Sequence, residues 1–232
     1  MGKPPLILLH GALGAREQFA PLVPLLAGHL DVHCLDFNGH GGAPLRGDSF
    51  RIADFAQDVL DYLDQREIAE AALFGYSMGG YVACTLAAAQ PARVTRVMTF
   101  GTKFYWDRDV AEREGARLDP VVIRAKVPHF AQALAARHTA TGWEAVLALT
   151  RALLLDLGAV GGLRAPDVAG LQQPVRIARG DRDRTVTLAE TEEMYQALPH
   201  GELEVLPATP HEFERVSAAR LAASLSAFCV GA

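Results

Sequence analysis

Short apolar runs alternate with longer helical patterns along most of this chain, and this alternation limits the possible fold more than any other feature. Most of the runs are continuously apolar, as in strands of a sheet that is covered on both faces. Strands that alternate with helices form a parallel sheet with right-handed crossovers. The candidate strands are residues 5–10, 31–37, 71–75, 93–101, 174–180 and 202–207. The sequence therefore predicts an α/β fold with a mainly parallel sheet and helices on both of its faces.

Two segments between the strands carry clear helix signals. In residues 52–63, apolar side chains recur at the i, i+3, i+4, i+7 spacing of an amphipathic helix. Thr187, with Glu190 three residues later, forms a capping box for a further helix.

Residues 102–173 break the alternation, because they contain helical patterns but no convincing strand. Their length, roughly seventy residues, far exceeds an ordinary connection of a few residues between a strand and a helix. We therefore predict an α/β core made of residues 1–101 and 174–232, and a helical lid made of residues 102–173. The lid follows a strand end, so it should cover the carboxyl edge of the sheet, where such sheets bind ligands.

Ser77 lies between glycines at the point where a strand signal changes to a helix signal, in LFGYSMGGYVAC. The pattern G-x-S-x-G alone is weak evidence, but this context makes it specific. A serine on a sharp strand-to-helix turn has an unfavourable backbone conformation and needs small neighbours, which Gly75 and Gly79 provide. Its hydroxyl would lie at a helix N-terminus, which favours developing negative charge. The pattern favours a nucleophile over a serine that only caps the helix.

Five segments resemble, in order, the motifs of the α/β-hydrolase fold family. HGALG (10–14) is similar to its oxyanion loop, DFNGHGGA (36–43) to a glycine-rich turn, GYSMGG (75–80) to the nucleophile elbow, GDRD (180–183) to the acid turn and PHEFE (210–214) to the histidine turn. In the second motif, Asn38 stands for the family's proline and Ala43 for its serine. The chain begins at the strand before the oxyanion loop, so the resemblance implies about six strands instead of eight.

The resemblance also implies a catalytic triad and an oxyanion hole. Ser77 would attack a carbonyl carbon, His211 would act as its base, and Asp183 would orient the histidine. The backbone N–H groups of Ala12 and Met78 would stabilise the oxyanion.

Several of these assignments have structural alternatives. His211 follows the last predicted strand, and its alternative is a loop histidine in solvent. Asp181 lies in the same loop as Asp183, and the family's spacing from Gly180 favours Asp183, which leaves Asp181 to form the turn. Asp36 resembles a catalytic acid by residue type, but its place before a glycine-rich turn favours a structural role.

Aromatic residues of the predicted lid are candidates for binding the acyl group of a substrate. We select Phe104, Trp106 and Trp143 as substrate-binding residues. The alternative for each of them, and for Tyr105 and Phe130, is a place in the lid's own small core.

Charge and cysteine content narrow the range of partners and cofactors. The net charge is −5 without a cluster of lysines and arginines, which argues against nucleic acid and anionic membranes as partners. Cys34, Cys84 and Cys229 form no metal-binding motif, and their odd number favours a reducing compartment. The apolar run at residues 6–9 is too short for a signal peptide, and none reaches the length of a membrane span. We expect a cytoplasmic protein.

These observations predict a serine hydrolase that cleaves a small-molecule carboxylic ester or related acyl substrate through an acyl-enzyme, without a metal ion or an organic cofactor. Two other classes of function stay open. GYSMGG is also similar to the elbow of the menaquinone-pathway synthases, which favours a carbon–carbon hydrolase or lyase, but those proteins have arginine where this chain has Tyr81. The third class is a small-molecule receptor on a hydrolase scaffold. The sequence makes no prediction of the oligomeric state.

Overall fold

Six parallel strands form one sheet in the computed structural model, which describes residues 2–230. The strands are β1 (Pro5–Leu9), β2 (Asp31–Cys34), β3 (Ala71–Tyr76), β4 (Val94–Phe100), β5 (Val175–Gly180) and β6 (Gly201–Leu206). Their order in the sheet is β2-β1-β3-β4-β5-β6, and every neighbouring pair is parallel. The predicted α/β class and the six-stranded parallel sheet are confirmed. Residue 1 and residues 231–232 of the predicted core lie outside the described residues.

Helices connect the strands and continue beyond the last one. The α-helices of the described chain are α1 (Val23–Leu26), α2 (Ile52–Gln65), α3 (Met78–Ala89), α4 (Arg108–Gly115), α5 (Pro120–Lys126), α6 (Pro128–Arg137), α7 (Trp143–Val160), α8 (Ala165–Val168), α9 (Leu188–Ala197) and α10 (Ala218–Val230). Short 3-10 helices span Arg16–Phe19, Pro91–Arg93, Ala116–Leu118 and Phe213–Arg215. The capping box predicted for α9 is present, since Thr187 and Glu190 bond to each other's backbone N–H groups.

The sheet has an apolar core on each face, as the continuous apolar strands predict. In β1, Ile7 and Leu9 join the core that contains side chains of α2 and α3, whereas Leu6 and Leu8 join the core that contains side chains of α1 and α10. Adjacent side chains of a strand point to opposite faces, so a strand buried on both faces is apolar throughout. The helices on both faces are therefore confirmed.

Strand β2 ends three residues earlier than the sequence predicts, at Cys34 instead of residue 37. The polar groups that follow bond to loops instead of a neighbouring strand. The N–H of Phe37 donates to Nε2 of His10 (3.1 Å), and the carboxylate of Asp36 accepts from the N–H groups of Arg16 (2.8 Å) and Gly42 (3.3 Å). Asp36 therefore organises two loops, in agreement with its structural interpretation.

The segment between β4 and β5 is helical, with α4–α8 and one isolated bridge between Tyr105 and Gly162. Helices α4 and α7 pack against each other. The segment has a small apolar cluster of its own, formed by Ile123, Ala131, Leu134 and Leu147. The division of the chain into a core and a lid stays a prediction. Among residues 2–230, no helix is both long and apolar enough to cross a membrane.

Candidate active site

Ser77 occupies the sharp turn between β3 and α3 and has φ 51° and ψ −116°. A positive φ is unfavourable for a residue with a side chain, and it persists only where neighbouring groups hold the backbone. The N–H of Ser77 donates to the carbonyl of Phe100 (2.8 Å), and its carbonyl accepts from the hydroxyl of Thr102 (3.0 Å). The end of β4 therefore fixes the strained serine.

The glycines around Ser77 are required by close backbone contacts. A methyl group on Gly75 would overlap the backbone of Gly79 and Gly80, and one on Gly79 would overlap the carbonyl of Leu9. The turn therefore packs directly against the end of β1, which carries the loop of residues 10–14. The spacing of glycines in the sequence reflects these contacts and the strain at the serine.

His211 and Asp183 form a direct pair between the loops that follow β6 and β5. Nδ1 of His211 lies 2.8 Å from Oδ2 of Asp183, whose side chain is fully buried. Oδ1 of the same carboxylate accepts from the N–H groups of Thr185 (2.8 Å) and Val186 (2.9 Å). Burial alone would raise the pKa of Asp183, but His211 and these N–H groups together lower it below its usual value. The carboxylate is therefore ionised and fixed in orientation.

Asp181, the alternative acid, faces a different part of the loop. Its Oδ1 accepts from the N–H of Thr209 (3.0 Å), and its side chain is exposed. Hydrogen bonds from the N–H groups of Ala208 and Thr209 lower the pKa of Asp181. Asp181 thus connects the loops after β5 and β6, while Asp183 contacts the histidine.

Two residues that the sequence analysis did not select hold this pair in place. The buried guanidinium of Arg179 donates to the carbonyls of Asp183 and Val186, both at 2.9 Å. The hydroxyl of Tyr76 donates to the carbonyl of His211 (3.1 Å). The sequence signal that could have identified Arg179 is its place inside the apolar strand segment VRIARG, because a buried guanidinium needs several acceptors.

Ser77 and His211 line one cavity of about 250 Å³. Ala12 and Met78 line it as well, and among the hydrogen bonds of residues 2–230 their N–H groups have no acceptor. Within the same residues, the hydroxyl of Ser77 makes no hydrogen bond to His211. Such bonds are often long without substrate and tighten when it binds. Four of the five predicted residues of the triad and the oxyanion hole therefore line one cavity, and the fifth, Asp183, contacts His211.

The opposite wall of the cavity comes from the segment between β4 and β5. Helix α7 contributes Leu153, Leu154 and Leu157, which recur at helical spacing along one of its faces. Trp106 and Leu118 complete much of the apolar lining. A substrate carbonyl near Ser77 would therefore have an apolar surface beside it.

Of the three aromatic residues selected as substrate-binding, Trp106 lines the cavity and the other two lie elsewhere. Phe104 is 1% exposed and packs in the core on the α2 and α3 face of the sheet. Trp143 packs on the small cluster of the helical segment, with the guanidinium of Arg124 over its ring. The alternative interpretation, a place in the small core of the helical segment, agrees with the structure for Trp143, whereas Phe104 packs in the core on the sheet.

Three buried histidines connect the predicted oxyanion loop to the turn after β2 and to α6. His10 accepts the N–H of Phe37, and its Nδ1 donates to the carbonyl of Gly11 (2.8 Å). His138, just after α6, accepts the N–H of Gly41 at Nδ1 and donates to the carbonyl of Leu13 from Nε2, both at 3.0 Å. The ring of His40 lies between them, 5.1 Å and 5.7 Å from their ring centres. His10 and His138 each accept at one ring nitrogen and donate from the other, which requires a neutral imidazole.

This cluster predicts a loss of stability in weak acid. Burial lowers the pKa of His10 to about 3 and also lowers the pKa of His138. Below pH 6.5 the unfolded chain therefore binds protons that the folded chain does not, so the free energy of unfolding falls with falling pH. For His10 the slope should approach about 1.4 kcal/mol per pH unit, and His138 should add to it with the same sign. Urea unfolding between pH 7 and pH 5 measures it.

His138→Gln tests the origin of that slope, because it removes one buried imidazole and can keep both hydrogen bonds. The variant should lose stability with pH less steeply than the wild type. The matched control is His29→Gln, at an exposed histidine. An equal slope in the wild type and the His138 variant would contradict the assignment.

Within residues 2–230, no group of three or more histidine, cysteine, aspartate or glutamate side chains is arranged to hold a metal ion. Cys84 and Cys229 are buried and Cys34 is half-buried, all as free thiols. Burial raises the pKa of Cys84 to about 12, so this thiol is protonated.

Comparisons with known proteins give consistent matches. The family model described as "alpha/beta hydrolase fold" matches residues 4–155. The sn-1-specific diacylglycerol lipase ABHD11 of Xenopus laevis is 35% identical over 98 residues, which are 41% of this chain and 31% of that protein. The pimeloyl-[acyl-carrier protein] methyl ester esterase of Aromatoleum aromaticum is 34% identical over 102 residues, 44% of this chain and 38% of that protein. This chain thus spans less than half the length of these relatives.

Among solved structures, NosK from Streptomyces actuosus is similar over 98% of this chain and 97% of its own, with a TM-score of 0.83 and 24% identity. At this identity the likeness concerns the fold alone.

Proposed function

Because the chain belongs to the α/β-hydrolase fold family, we propose that it is a serine hydrolase that cleaves a small carboxylic ester or a related acyl substrate. The main support is the Asp183–His211 pair, 2.8 Å apart, because its histidine lines the same cavity as the strained Ser77. The esterase and lipase named among the relatives support the same class of reaction.

The first step forms an acyl-enzyme. As Oγ of Ser77 attacks the substrate carbonyl carbon, Nε2 of His211 takes the hydroxyl proton. The carbonyl oxygen becomes an oxyanion and accepts hydrogen bonds from the N–H groups of Ala12 and Met78. A donor of this kind is typically worth about 3 kcal/mol of transition-state stabilisation. The imidazolium then gives its proton to the leaving oxygen, and the alcohol departs.

The second step returns the enzyme to its starting state. Water loses a proton to Nε2 of His211 and attacks the acyl carbon, and Ser77 leaves with that proton. Throughout both steps the ionised carboxylate of Asp183 keeps a proton on Nδ1 of His211 and stabilises the imidazolium. Neither step requires a metal ion or an organic cofactor.

The lining of the cavity favours an apolar acyl group of limited size. The leucines of α7 and the ring of Trp106 form a wall beside Ser77, and the cavity volume is about 250 Å³. Burial of a methylene group is worth about 0.8 kcal/mol, or up to about fourfold in kcat/KM. The rise in kcat/KM should stop once the acyl chain of the substrate fills the cavity.

The dependence of kcat/KM on the length of the acyl group tests this proposal. With p-nitrophenyl esters of increasing acyl length, kcat/KM should rise up to about fourfold per carbon and then level off. Trp106→Ala should flatten the rise, because it removes part of the apolar wall. Steady-state kinetics with the wild type and the variant measure both effects.

Tyr105→Ala is the matched control, since Tyr105 is the neighbouring aromatic, is 47% exposed and does not line the cavity. It should keep the wild-type dependence on chain length. A chain-length profile that is flat in the wild type would show that the helical segment does not select the acyl group. Binding of the esters without turnover would instead support a receptor.

A further inference from the structure

A second cavity, of about 330 Å³, adjoins the candidate active site. It shares Thr185 and His211 with the first cavity but contains no residue of the segment between β4 and β5. Its other lining residues come from the loops after β5 and β6: Arg182, Arg184, Pro210, Glu212 and Arg215. The two cavities therefore meet at the predicted general base.

The lysine and arginine side chains of the two cavities differ in whether they form ion pairs with carboxylates. In the first cavity, Lys103 lies 3.2 Å from a carboxylate oxygen of Glu190, and Arg117 lies 2.7 Å from Glu114. In the second cavity, Arg215 lies 3.9 Å from Glu212. Among the ion pairs of residues 2–230, Arg182 and Arg184 have no carboxylate partner. The second cavity thus holds unpaired positive charge on a chain whose net charge is −5.

Asp181 does not neutralise this charge by direct contact, although it precedes Arg182 in the sequence. Its carboxylate accepts the N–H of Thr209 and forms no ion pair with either free arginine. The side chains of Arg182, Arg184 and Arg215 are exposed, so a ligand can reach them.

The position of the second cavity indicates which half of the substrate it contacts. In the proposed reaction the acyl group lies against the apolar wall of the first cavity, and His211 gives its proton to the leaving group. The second cavity begins at His211 and lies away from that wall. We propose that it binds an anionic group, a carboxylate or a phosphate, on the leaving-group half of the substrate. This inference rests on the proposed function.

The chemistry of arginine fits this assignment. The guanidinium group is planar, always charged, and pairs with carboxylate and phosphate oxygens through two parallel N–H bonds. Because the arginines are exposed, the preference for an anion should be moderate and should weaken as the salt concentration rises.

The test uses pairs of substrates that share an acyl group and differ in leaving-group charge. The carboxylate pair is the 4-(carboxymethyl)phenyl ester of butyrate and its neutral primary amide. The phosphate pair is the butyryl thioester of coenzyme A and that of N-acetylcysteamine. We expect kcat/KM to be about tenfold higher for the charged member of at least one pair at low salt, and the difference to shrink by 0.5 M NaCl. The pair that shows it identifies the source of the anion.

Arg182→Gln, Arg184→Gln and the double variant should reduce this ratio towards one. The control is Arg66→Glu. Arg66 is an exposed arginine just after α2. It lines a different cavity together with Asp31, the first residue of β2, at the other end of the sheet. It should keep the wild-type ratio. Circular dichroism checks the fold, and the two single variants cover a failure of the double variant.

The outcomes separate this inference from the proposed function. Ratios near one in the wild type, with the neutral substrates still cleaved, would overturn the anion site and leave the hydrolase. A preference that survives in all three arginine variants would also overturn it. If no substrate of either pair, charged or neutral, is cleaved at all, the proposed function fails first, and the anion site fails with it.

Discussion

Ser77→Ala should lower kcat/KM for ester hydrolysis by at least about a thousandfold. The variant keeps the oxyanion donors and the cavity, but it has no oxygen that can form the acyl-enzyme. Removal of a nucleophile from such a triad leaves only the catalysis supplied by binding and by the oxyanion hole. Steady-state kinetics with the preferred p-nitrophenyl ester measure the loss.

Covalent labelling gives the same prediction a direct readout. A fluorophosphonate should modify Ser77 alone, because among the serines of residues 2–230 only this one lines a cavity with a histidine and free N–H donors. The other four serines, Ser49, Ser217, Ser224 and Ser226, serve as internal controls. Ser217→Ala is a matched variant and should keep both activity and labelling. Mass spectrometry that finds the label on another serine, or none, would contradict the assignment.

The strands and the turn at Ser77 were predictable because their causes are local. Strands such as β1 and β3 are covered on both faces, so nearly every residue in them is apolar. The glycines around Ser77 are needed at fixed spacings because one residue has a positive φ and its neighbours contact β1. Both causes leave a pattern within a few consecutive residues, and a single sequence shows such patterns.

The directions of side chains in the helical segment were not predictable in the same way. Phe104, Trp106 and Trp143 are all large and apolar, but only Trp106 lines the cavity. Which side an aromatic ring faces depends on how α4 and α7 pack together, and no local pattern specifies that. The same holds for His138, whose partners are the backbones of Leu13 and Gly41, about a hundred residues earlier in the chain.

The end of β2 shows a third case, in which the local pattern was misleading. The sequence assigns Leu35 and Phe37, the apolar residues on either side of Asp36, to the strand. In the structure, Leu35 and Phe37 are buried, but the N–H of Phe37 donates to His10. Burial and strand pairing are separate properties, and an apolar pattern reports only burial.

Asp183→Asn should lower kcat/KM by about a thousandfold or more. The reason lies in the partners of the carboxylate. Oδ1 accepts two N–H groups, from Thr185 and Val186, so in the variant the amide oxygen should take this position. The amide NH₂ would then face Nδ1 of His211 and donate to it. The histidine would carry its proton on Nε2, where it cannot accept the proton of Ser77.

Asp181→Asn is the matched control, two residues away in the same loop. Its amide oxygen can still accept the N–H of Thr209, and no contact with His211 is lost. We expect its kcat/KM to stay within about tenfold of the wild type. Because both variants remove one negative charge from this loop, a difference between them reports the tautomer of His211 rather than the overall field. A larger loss in the Asp181 variant would mean that Asp181 orients the histidine during catalysis.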